Sequence, residues 1–244
     1  MTYIGTSGFQ YPHWGDGVFY PRGTKNLLEY YLRFFNTVEI NTSFYRSVPP
    51  HVIEKWGEQI PEGSKLVLKA PRSVTHVRRL KLFSLLATDG LTLLEDFVYS
   101  LDFVPAEKIG PVLLQLHPRQ EFDISRLEDV LWFFTENTIQ AAVEPRHRSW
   151  LNEKLYQTLE QFNAALVMSD WLECSTELVD VADFLYIRRH GPVRYGGSYS
   201  EESLEKLATI IDRYECDHKI FVFFNNDGEG NAPRDALRLK QLTS

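Results

Sequence analysis

The chain has 244 residues, enough for one large domain or two small ones, and its 43% hydrophobic content is typical of a folded globular protein. This composition excludes a disordered chain, and at this length folding needs no disulfide or metal support. The 26 basic and 33 acidic residues give a formal net charge of −7 at pH 7, which argues against a protein that is basic over its whole surface. A local basic patch is compatible with this balance.

The cysteines and the N-terminal residues bear on where the protein works. Cys174 and Cys216 are isolated, so we expect two buried, unpaired thiols rather than a disulfide framework or a zinc site. No stretch approaches the roughly 18 consecutive apolar residues of a membrane-spanning helix, and residues 1–5 do not begin a signal peptide. We therefore expect a cytoplasmic protein that does not associate with membranes.

Eight short, nearly continuous apolar runs alternate with segments of helical periodicity, a pattern typical of parallel strands covered on both faces. The runs are Tyr3–Ser7, Thr37–Asn41, Lys65–Ala70, Val112–Leu116, Ala141–Glu144, Ala164–Met168, Phe184–Arg188 and Lys219–Asn225. Seven helices between these strands and one after the last predict an α/β fold, a TIM (β/α)8 barrel, in a single domain over residues 1–244. A doubly wound open sheet is the alternative, but the turn at residues 5–9 lacks the third glycine of its usual phosphate-binding loop.

Polar and ionisable residues mark the C-terminal ends of these strands, while the strand bodies are almost free of charge. In such barrels the functional side chains lie at those ends and in the loops that follow them. The asymmetry therefore predicts one convergent site. The candidate catalytic residues are Glu39, Glu144, His76 and His190, and the candidate ligand-binding residues are Asn41, Tyr45, Lys69, Arg72, Arg146, Trp150, Arg188, Arg194, Tyr199, Asn225 and Asn226.

The two glutamates lie within apolar runs, where a carboxylate needs a cationic partner to stay charged. Either Glu39 pairs with Lys69 on the next strand, or it acts as a general base or acid. Glu144 presents the same choice, with Arg146 or Arg188 as its partner.

Proton shuttling by His76 or His190 would complete such an acid–base site. Lys69 occupies a position used by Schiff-base lysines in barrel enzymes. Adjacent carboxylates are expected to keep its amine protonated and therefore not nucleophilic.

Arginines concentrate at the same end of the barrel despite the acidic total. Because the guanidinium group suits phosphate or carboxylate, we expect Arg146, Arg188 and Arg194 to clamp an anion. Residues 188–198, which lead to a helix start near Ser200, form the best single anion-binding segment by this reasoning. A flexible, solvated loop is the alternative.

Aromatic residues in these loops, such as Tyr45, Trp150 and Tyr199, either stack on a base or sugar or simply close the top of the barrel. No short metal-binding motif occurs, and interleaved lysines and arginines would repel a divalent cation, so we expect neither a metal nor a cofactor. Gln115 and Arg188 stand where many retaining glycosidase barrels place their two carboxylates, which argues against that activity.

Several motifs resemble the YecE-like family, domain of unknown function 72. They are IGTSGF-x-Y-x-x-W at 4–14, FYP at 19–21, VEINTSFYR at 38–46, KAPRSVTH at 69–76, EPRHRSW at 144–150, YIRRHG at 186–191 and FFNND at 223–227. The resemblance implies a TIM barrel without an established activity, similar at the level of fold to the endonuclease IV and xylose isomerase group. His117 stands where the family usually has proline, so we do not expect it to share in common chemistry.

These observations favour a metal-independent enzyme or binding protein for a phosphate-bearing ligand, such as a nucleotide, a nucleic-acid end or a sugar phosphate. A hydrolase or an isomerase would use the carboxylates as general acid and base. The alternatives are a non-catalytic barrel that binds nucleic acid and a metal-dependent enzyme of the endonuclease or isomerase type.

Overall fold

Eight parallel strands form the centre of the protein within residues 1–82 and 90–243, the part of the chain that the computed structural model describes. They are β1 (Thr2–Thr6), β2 (Thr37–Ile40), β3 (Lys65–Leu68), β4 (Val112–Gln115), β5 (Ala141–Glu144), β6 (Ala165–Ser169), β7 (Phe184–Arg189) and β8 (Lys219–Phe224). All eight predicted strands are present, and no predicted end differs from the observed one by more than two residues.

The strands close into a barrel as two sheets joined at two narrow seams. The larger sheet has the strand order β1-β8-β7-β6-β5-β4, and β2 pairs with β3 in the smaller one. Isolated bridges join the sheets: Ser7 with Glu39 between β1 and β2, and Leu66 with Ile109 and Lys69 with Leu113 on the side of β3 that faces β4. At the first seam the Gly8 amide donates to the Glu39 carbonyl (2.7 Å). The predicted TIM-type barrel is confirmed.

Helices follow every strand except β6. They are α1 (Leu27–Tyr31), α2 (Thr42–Tyr45), α3 (Pro50–Gln59), α4 (Gly90–Leu101), α5 (Ile124–Glu136), α6 (Glu153–Gln161), α7 (Glu201–Tyr214) and α8 (Asn231–Leu242). The loop after β3 also contains a π-helical turn, Ser73–Val77.

The connection between β6 and β7, residues 170–183, contains no helix, so the prediction of seven intervening helices was wrong there. Thr176 instead forms an antiparallel bridge with Ser169, and its amide donates to the Ser169 carbonyl at 2.8 Å. Because the segment contains β-branched Thr176, Val179 and Val181 as well as several aspartates, its helix propensity is low, and its backbone pairs with the sheet instead.

The barrel interior is filled by side chains in layers, beneath the end where the loops after the strands converge. Its lower layers are apolar and largely aromatic, and include stacked rings of Tyr3 and Phe221 with centroids 4.8 Å apart. A second and larger apolar cluster lies between the strands and the surrounding helices. Because inward-facing positions recur at every second residue of a strand, the next inward position of each strand lies at the mouth of the barrel.

Candidate functional site

One polar residue from each strand, or from the residue just after it, forms the uppermost layer of the barrel interior. This top layer consists of Ser7, Glu39, Lys69, Gln115, Glu144, Ser169, Arg188 and Asn225. On β7, for example, Phe184 and Tyr186 belong to the apolar interior, and Arg188 follows two residues later. The side chains of the top layer are buried or nearly so, so their polar groups must bond to one another.

Arg188 lies at the centre of the top layer and bridges both glutamates. Its Nε and Nη2 donate to the two Glu39 oxygens at 3.0 and 2.8 Å, and its Nη1 donates to the two Glu144 oxygens at 3.1 and 2.8 Å. Tyr186 and Ser7 also donate to Glu39 through their hydroxyl groups. The expected Glu39–Lys69 pair is therefore wrong, because the carboxylate is engaged by the longer, bidentate guanidinium.

This pairing decides the charge of both carboxylates. Burial raises the pKa of Glu39 and of Glu144, but basic neighbours, and at Glu39 also the hydroxyl groups of Ser7 and Tyr186, lower each pKa by more, so both lie below their ordinary values. The strongest of these neighbours is Arg188 for Glu39 and Arg146 for Glu144. Both side chains are completely buried beneath the mouth, so they neutralise the arginines from below.

Arg146 and His190 extend the network on the far side of Glu144. Arg146 Nη2 donates to Glu144 at 3.0 Å and lies 2.9 Å from His190 Nε2, while its guanidinium carbon lies 4.1 Å from the centre of the Trp171 ring. Only an unprotonated Nε2 can accept from a guanidinium, so His190 is neutral here with its proton on Nδ1, which faces Asp170 at 3.4 Å. Burial lowers the pKa of His190 in accordance with this assignment.

Lys69 differs from the other charged residues of the top layer because no carboxylate among residues 1–82 and 90–243 contacts its amine. Nζ donates to Gln115 Oε1 at 2.9 Å and lies 3.9 Å above the centre of the Phe44 ring. Burial, followed by repulsion from Arg188, lowers the pKa of Lys69 to about 7, although Glu39 and Glu144 act in the opposite direction. The expectation that carboxylates keep this amine fully protonated is therefore not met.

A cavity of about 630 Å³ opens above the top layer, a size suited to a nucleotide or a sugar phosphate. Lys69, Arg46 and Arg188 supply its cationic lining, and Asp227 is the acidic residue that lines it. Burial raises the pKa of Asp227 above its ordinary value. The remaining lining residues are Gly8, Phe9, Gln10, Tyr11, Ile40, Asn41, Thr42, Tyr45, Gln115, Tyr195 and Asn225.

The structure brings only some of the predicted site residues to this cavity. Asn41, Tyr45, Lys69, Arg188 and Asn225 line it. The buried network below contains four more predicted residues, Glu39, Glu144, Arg146 and His190.

The other predicted residues lie away from the cavity. His76 packs edge-on against Phe44, and burial followed by Lys69 lowers the pKa of His76 to about 4. Trp150 is fully buried and donates to the Gln120 carbonyl at 2.8 Å. Arg72 is exposed at a neighbouring, smaller cavity.

The segment that follows β7 is tied to acidic residues. Asp170 accepts from the Tyr199 hydroxyl, and Asp235 accepts from the Tyr199 backbone amide at 3.1 Å. Asp235 also accepts from the Asn226 side chain, which follows β8, at 2.7 Å. Arg194 is exposed, stacks over Trp171 and lies 3.8 Å from Glu173, so the three arginines of the expected clamp are not assembled around one anion. Helix α7 does begin after Ser200, whose side chain caps it, but its first turn carries Glu201 and Glu202 and is unfavourable for a further anion.

The list of candidate site residues omitted several that line the cavity, including Tyr11, Arg46, Tyr195 and Asp227. These residues lie in the loops rather than within the strands. The two-residue period of each strand, followed to its last inward position, would have added Gln115 and Ser7 to the list.

Three further findings concern sequence expectations. Among residues 1–82 and 90–243, no cluster of three His, Cys, Asp or Glu side chains is arranged to hold a metal ion. Within the same ranges no helix is long and apolar enough to cross a membrane. Both cysteines are free and Cys174 is buried, but Cys216 is exposed, so the expectation of two buried thiols was wrong for the second, which lies just beyond the end of α7.

Comparisons with known proteins agree with this architecture. A family model described as "Protein of unknown function DUF72" matches residues 3–244. The UPF0759 protein YunF of Bacillus subtilis is 24% identical, and the alignment covers 99% of this chain and 94% of YunF. The crystal structure of a DUF72 family protein from Thermotoga maritima is 28% identical, with a TM-score of 0.83 and coverage of 99% and 98%.

A more distant neighbour is D-psicose 3-epimerase from Clostridium cellulolyticum H10, whose structure contains D-tagatose. It is 11% identical to this chain, with a TM-score of 0.52 and coverage of 90% of this chain and 93% of the epimerase. A likeness at this level of identity concerns the fold alone.

Proposed function

This chain belongs to the DUF72 family, and from its barrel and cavity we propose that it binds a phosphate-bearing ligand at the C-terminal end of the barrel. The ligand's phosphate contacts Lys69, with Arg46 and the outer edge of Arg188 adding positive charge. Asn41 and Asn225 supply neutral donors beside it. The Glu39–Arg188–Glu144 network serves as a rigid, charge-balanced floor rather than as the clamp itself.

The observation that carries the proposal is the isolation of the Lys69 amine. It is 6% exposed and has one hydrogen-bond acceptor, Gln115, although an ammonium group has three protons to donate. A buried ammonium without a carboxylate partner is destabilising, and a ligand anion in the cavity above would supply that partner. The other buried basic residues of the top layer and its surroundings, Arg146 and Arg188, already have carboxylates.

Ligand binding and protonation are therefore linked at this amine. With a pKa of about 7, Lys69 is only partly charged near neutral pH. A bound phosphate favours the charged form, so binding raises the pKa of Lys69 and draws a proton from solution. Calorimetric titration at pH 7.5 in two buffers of different ionisation enthalpy measures this uptake directly.

The decisive experiment is a thermal-shift series with inorganic phosphate, nucleoside monophosphates and sugar phosphates, each matched by chloride at equal ionic strength. A ligand at 100 times its dissociation constant stabilises by about 2.7 kcal/mol. For a chain of this size that corresponds to a shift of roughly 5–11 °C.

Two lysine variants locate the site. Lys69→Met should lose about 10- to 100-fold in affinity, the effect of removing a charged hydrogen-bond partner. Lys55→Met, at an exposed position of α3, should bind as the wild type does. A series without a selective shift, or an equal shift in Lys69→Met, would refute the proposal.

A second candidate function follows from the same amine. An unprotonated Lys69 held against the Phe44 ring can add to the carbonyl carbon of an aldehyde or ketone, and loss of water then leaves an imine. Borohydride would reduce that imine to a stable secondary amine, and mass spectrometry would find the adduct on Lys69. Trapping with sugar phosphates but not with their reduced alcohols favours this chemistry, and absence of any adduct removes it.

A further inference from the structure

A second, smaller cavity adjoins the central one, and the two share Tyr45 and Arg46. It encloses about 250 Å³ between the loops that follow β2 and β3. Arg46 and Arg72 supply its positive charge, Ser47 and Ser73 supply hydroxyl groups, and Asp96 from α4 is the acidic residue that lines it. An elongated ligand that fills the central cavity would therefore reach this side cavity past Tyr45 and Arg46.

We propose that the side cavity is a second phosphate subsite and that the two cavities together hold the end of a single-stranded oligonucleotide, with a base stacked on Tyr45. This inference rests on the proposed function, since the terminal phosphate of the strand would occupy the cavity at Lys69. Three independent observations carry it.

The first observation is the pairing state of the arginines at this end of the barrel. Arg188, Arg189 and Arg194, on and after β7, each have a carboxylate within 4.0 Å. Within the described ranges of the chain, Arg46 and Arg72 have no such partner, and both are exposed. Exposed guanidinium groups without a protein anion are available to phosphate oxygens.

The second observation is the charge of the segments that follow β3 and β6. Residues 69–89, between β3 and α4, contain five lysines and arginines and one acidic residue, Asp89. Residues 170–183, after β6, contain five acidic and no basic residues. A polyanion bound in the cavity is attracted by the positive charge of the loop that follows β3 and repelled by the negative charge of the loop that follows β6. We therefore expect the strand to extend from the cavity over the loop after β3.

The third observation is the exposure of Tyr45. Its side chain is 68% exposed, more than that of any other aromatic residue in the part of the chain that the structure describes. The ring packs edge-to-face against Phe44, with centroids 5.0 Å apart, and stands at the boundary of the two cavities. A tyrosine ring that is held on one side and open to solvent on the other can stack on an unpaired nucleobase, as in proteins that bind single strands.

The test measures fluorescence anisotropy with 5′-phosphorylated oligothymidylates of one, two, four and eight nucleotides, and with a duplex of the eight-nucleotide sequence. Affinity should rise by at least about tenfold from one nucleotide to two. Arg72→Gln should abolish that gain and leave the affinity for the mononucleotide unchanged, since Arg72 does not line the central cavity. Arg213→Gln, at an exposed position on α7, is the charge-matched control and should bind as the wild type does.

Tyr45→Ala should weaken binding of the dinucleotide by about 5- to 100-fold, the range of base–aromatic stacking. In a salt titration of the four-nucleotide strand, Arg72→Gln should reduce the slope of log affinity against log salt by about 0.7, the value for one phosphate contact on a single strand. Both variants change exposed residues, and thermal unfolding will verify that they are folded.

The outcomes separate this inference from the proposed function. Equal affinity for one and four nucleotides, with binding still dependent on Lys69, overturns the second subsite and leaves the proposed function intact. Equal binding of duplex and single strand overturns the stacking on Tyr45. Absence of binding by every phosphate ligand, including inorganic phosphate, overturns both.

Discussion

Replacing Lys69 with methionine should make the protein more stable at neutral pH, although it removes the main charge of the proposed site. The amine is buried, has no carboxylate partner in the described part of the chain, and has a pKa lowered by burial to about 7 from its ordinary value of 10.5. Methionine retains a flexible apolar stem against the Phe44 ring and removes the charge. Gln115 keeps a donor after the change, because Arg146 also reaches its Oε1 at 3.3 Å.

The magnitude follows from the two pKa values. Between pH 7 and 10.5 the unfolded chain binds a proton that the folded state does not, so the stability of the wild type rises with pH in this window. At pH 7 and below the penalty on the folded state amounts to roughly 4–5 kcal/mol, at 1.36 kcal/mol per pH unit. The lost hydrogen bond offsets about 1 kcal/mol. We therefore expect Lys69→Met to gain roughly 2–4 kcal/mol at pH 7 and about 1 kcal/mol at pH 9.

Urea unfolding between pH 6.5 and 9.5 measures this difference. Relative to Lys69→Met, the wild type should gain about 1.4 kcal/mol per pH unit above pH 7. Taking the difference cancels the titration of groups common to both proteins, and Lys55→Met provides an exposed control. Parallel pH profiles for wild type and Lys69→Met, or a variant that is less stable at every pH, would refute the reasoning.

Two further changes test the floor of the cavity, and a third tests the loop that follows β7. Arg188→Met should destabilise by about 3–5 kcal/mol in urea unfolding, because it leaves Glu39 and Glu144 buried without their shared cation; a loss below 1 kcal/mol would contradict that pairing. The low pKa of Glu144 contributes stability above pH 4.5, and this stability is lost as the pH falls through the folded-state pKa. Glu144→Gln should therefore make the free energy of unfolding depend less steeply on pH below 4.5. An unchanged pH dependence would be evidence against this role of Glu144. Gly191→Ala should lower the melting temperature measurably, because Gly191 has φ +104° and an added Cβ would meet the Gly196 carbonyl oxygen; a melting temperature equal to that of the wild type would exclude this contact.

The fold could be predicted from the sequence because parallel strands buried on both faces give short apolar runs that few other elements produce. The location of the site followed for a related reason. Charged residues at the ends of otherwise apolar runs, such as Glu39 and Glu144, have few places to lie except the mouth of the barrel. Helix placement failed after β6, where the absence of helical periodicity in residues 170–183 was not weighed against the expected repeat.

The pairing of charges could not be predicted, because it depends on the reach and direction of side chains across the barrel. Lys69, Arg146 and Arg188 are all possible partners of the two glutamates by sequence. Only the structure shows that Arg188 pairs with both Glu39 and Glu144. The same limit applies to Trp150. Because Trp150 follows β5, the sequence predicted that it lies near the site. In the structure its ring lies in the core, edge-on to Phe122.

The two seams of the barrel have a consequence for how the protein opens. Strands β2 and β3 pair with each other but join the other six only through isolated bridges, so we expect local opening detected by hydrogen exchange at their amides. The pair of Arg188 on β7 with Glu39 on β2 spans the barrel and ties the weaker unit to the stronger one. Since Lys69 follows β3 directly, an occupant of the central cavity would slow exchange along both β2 and β3, including at amides that it does not touch.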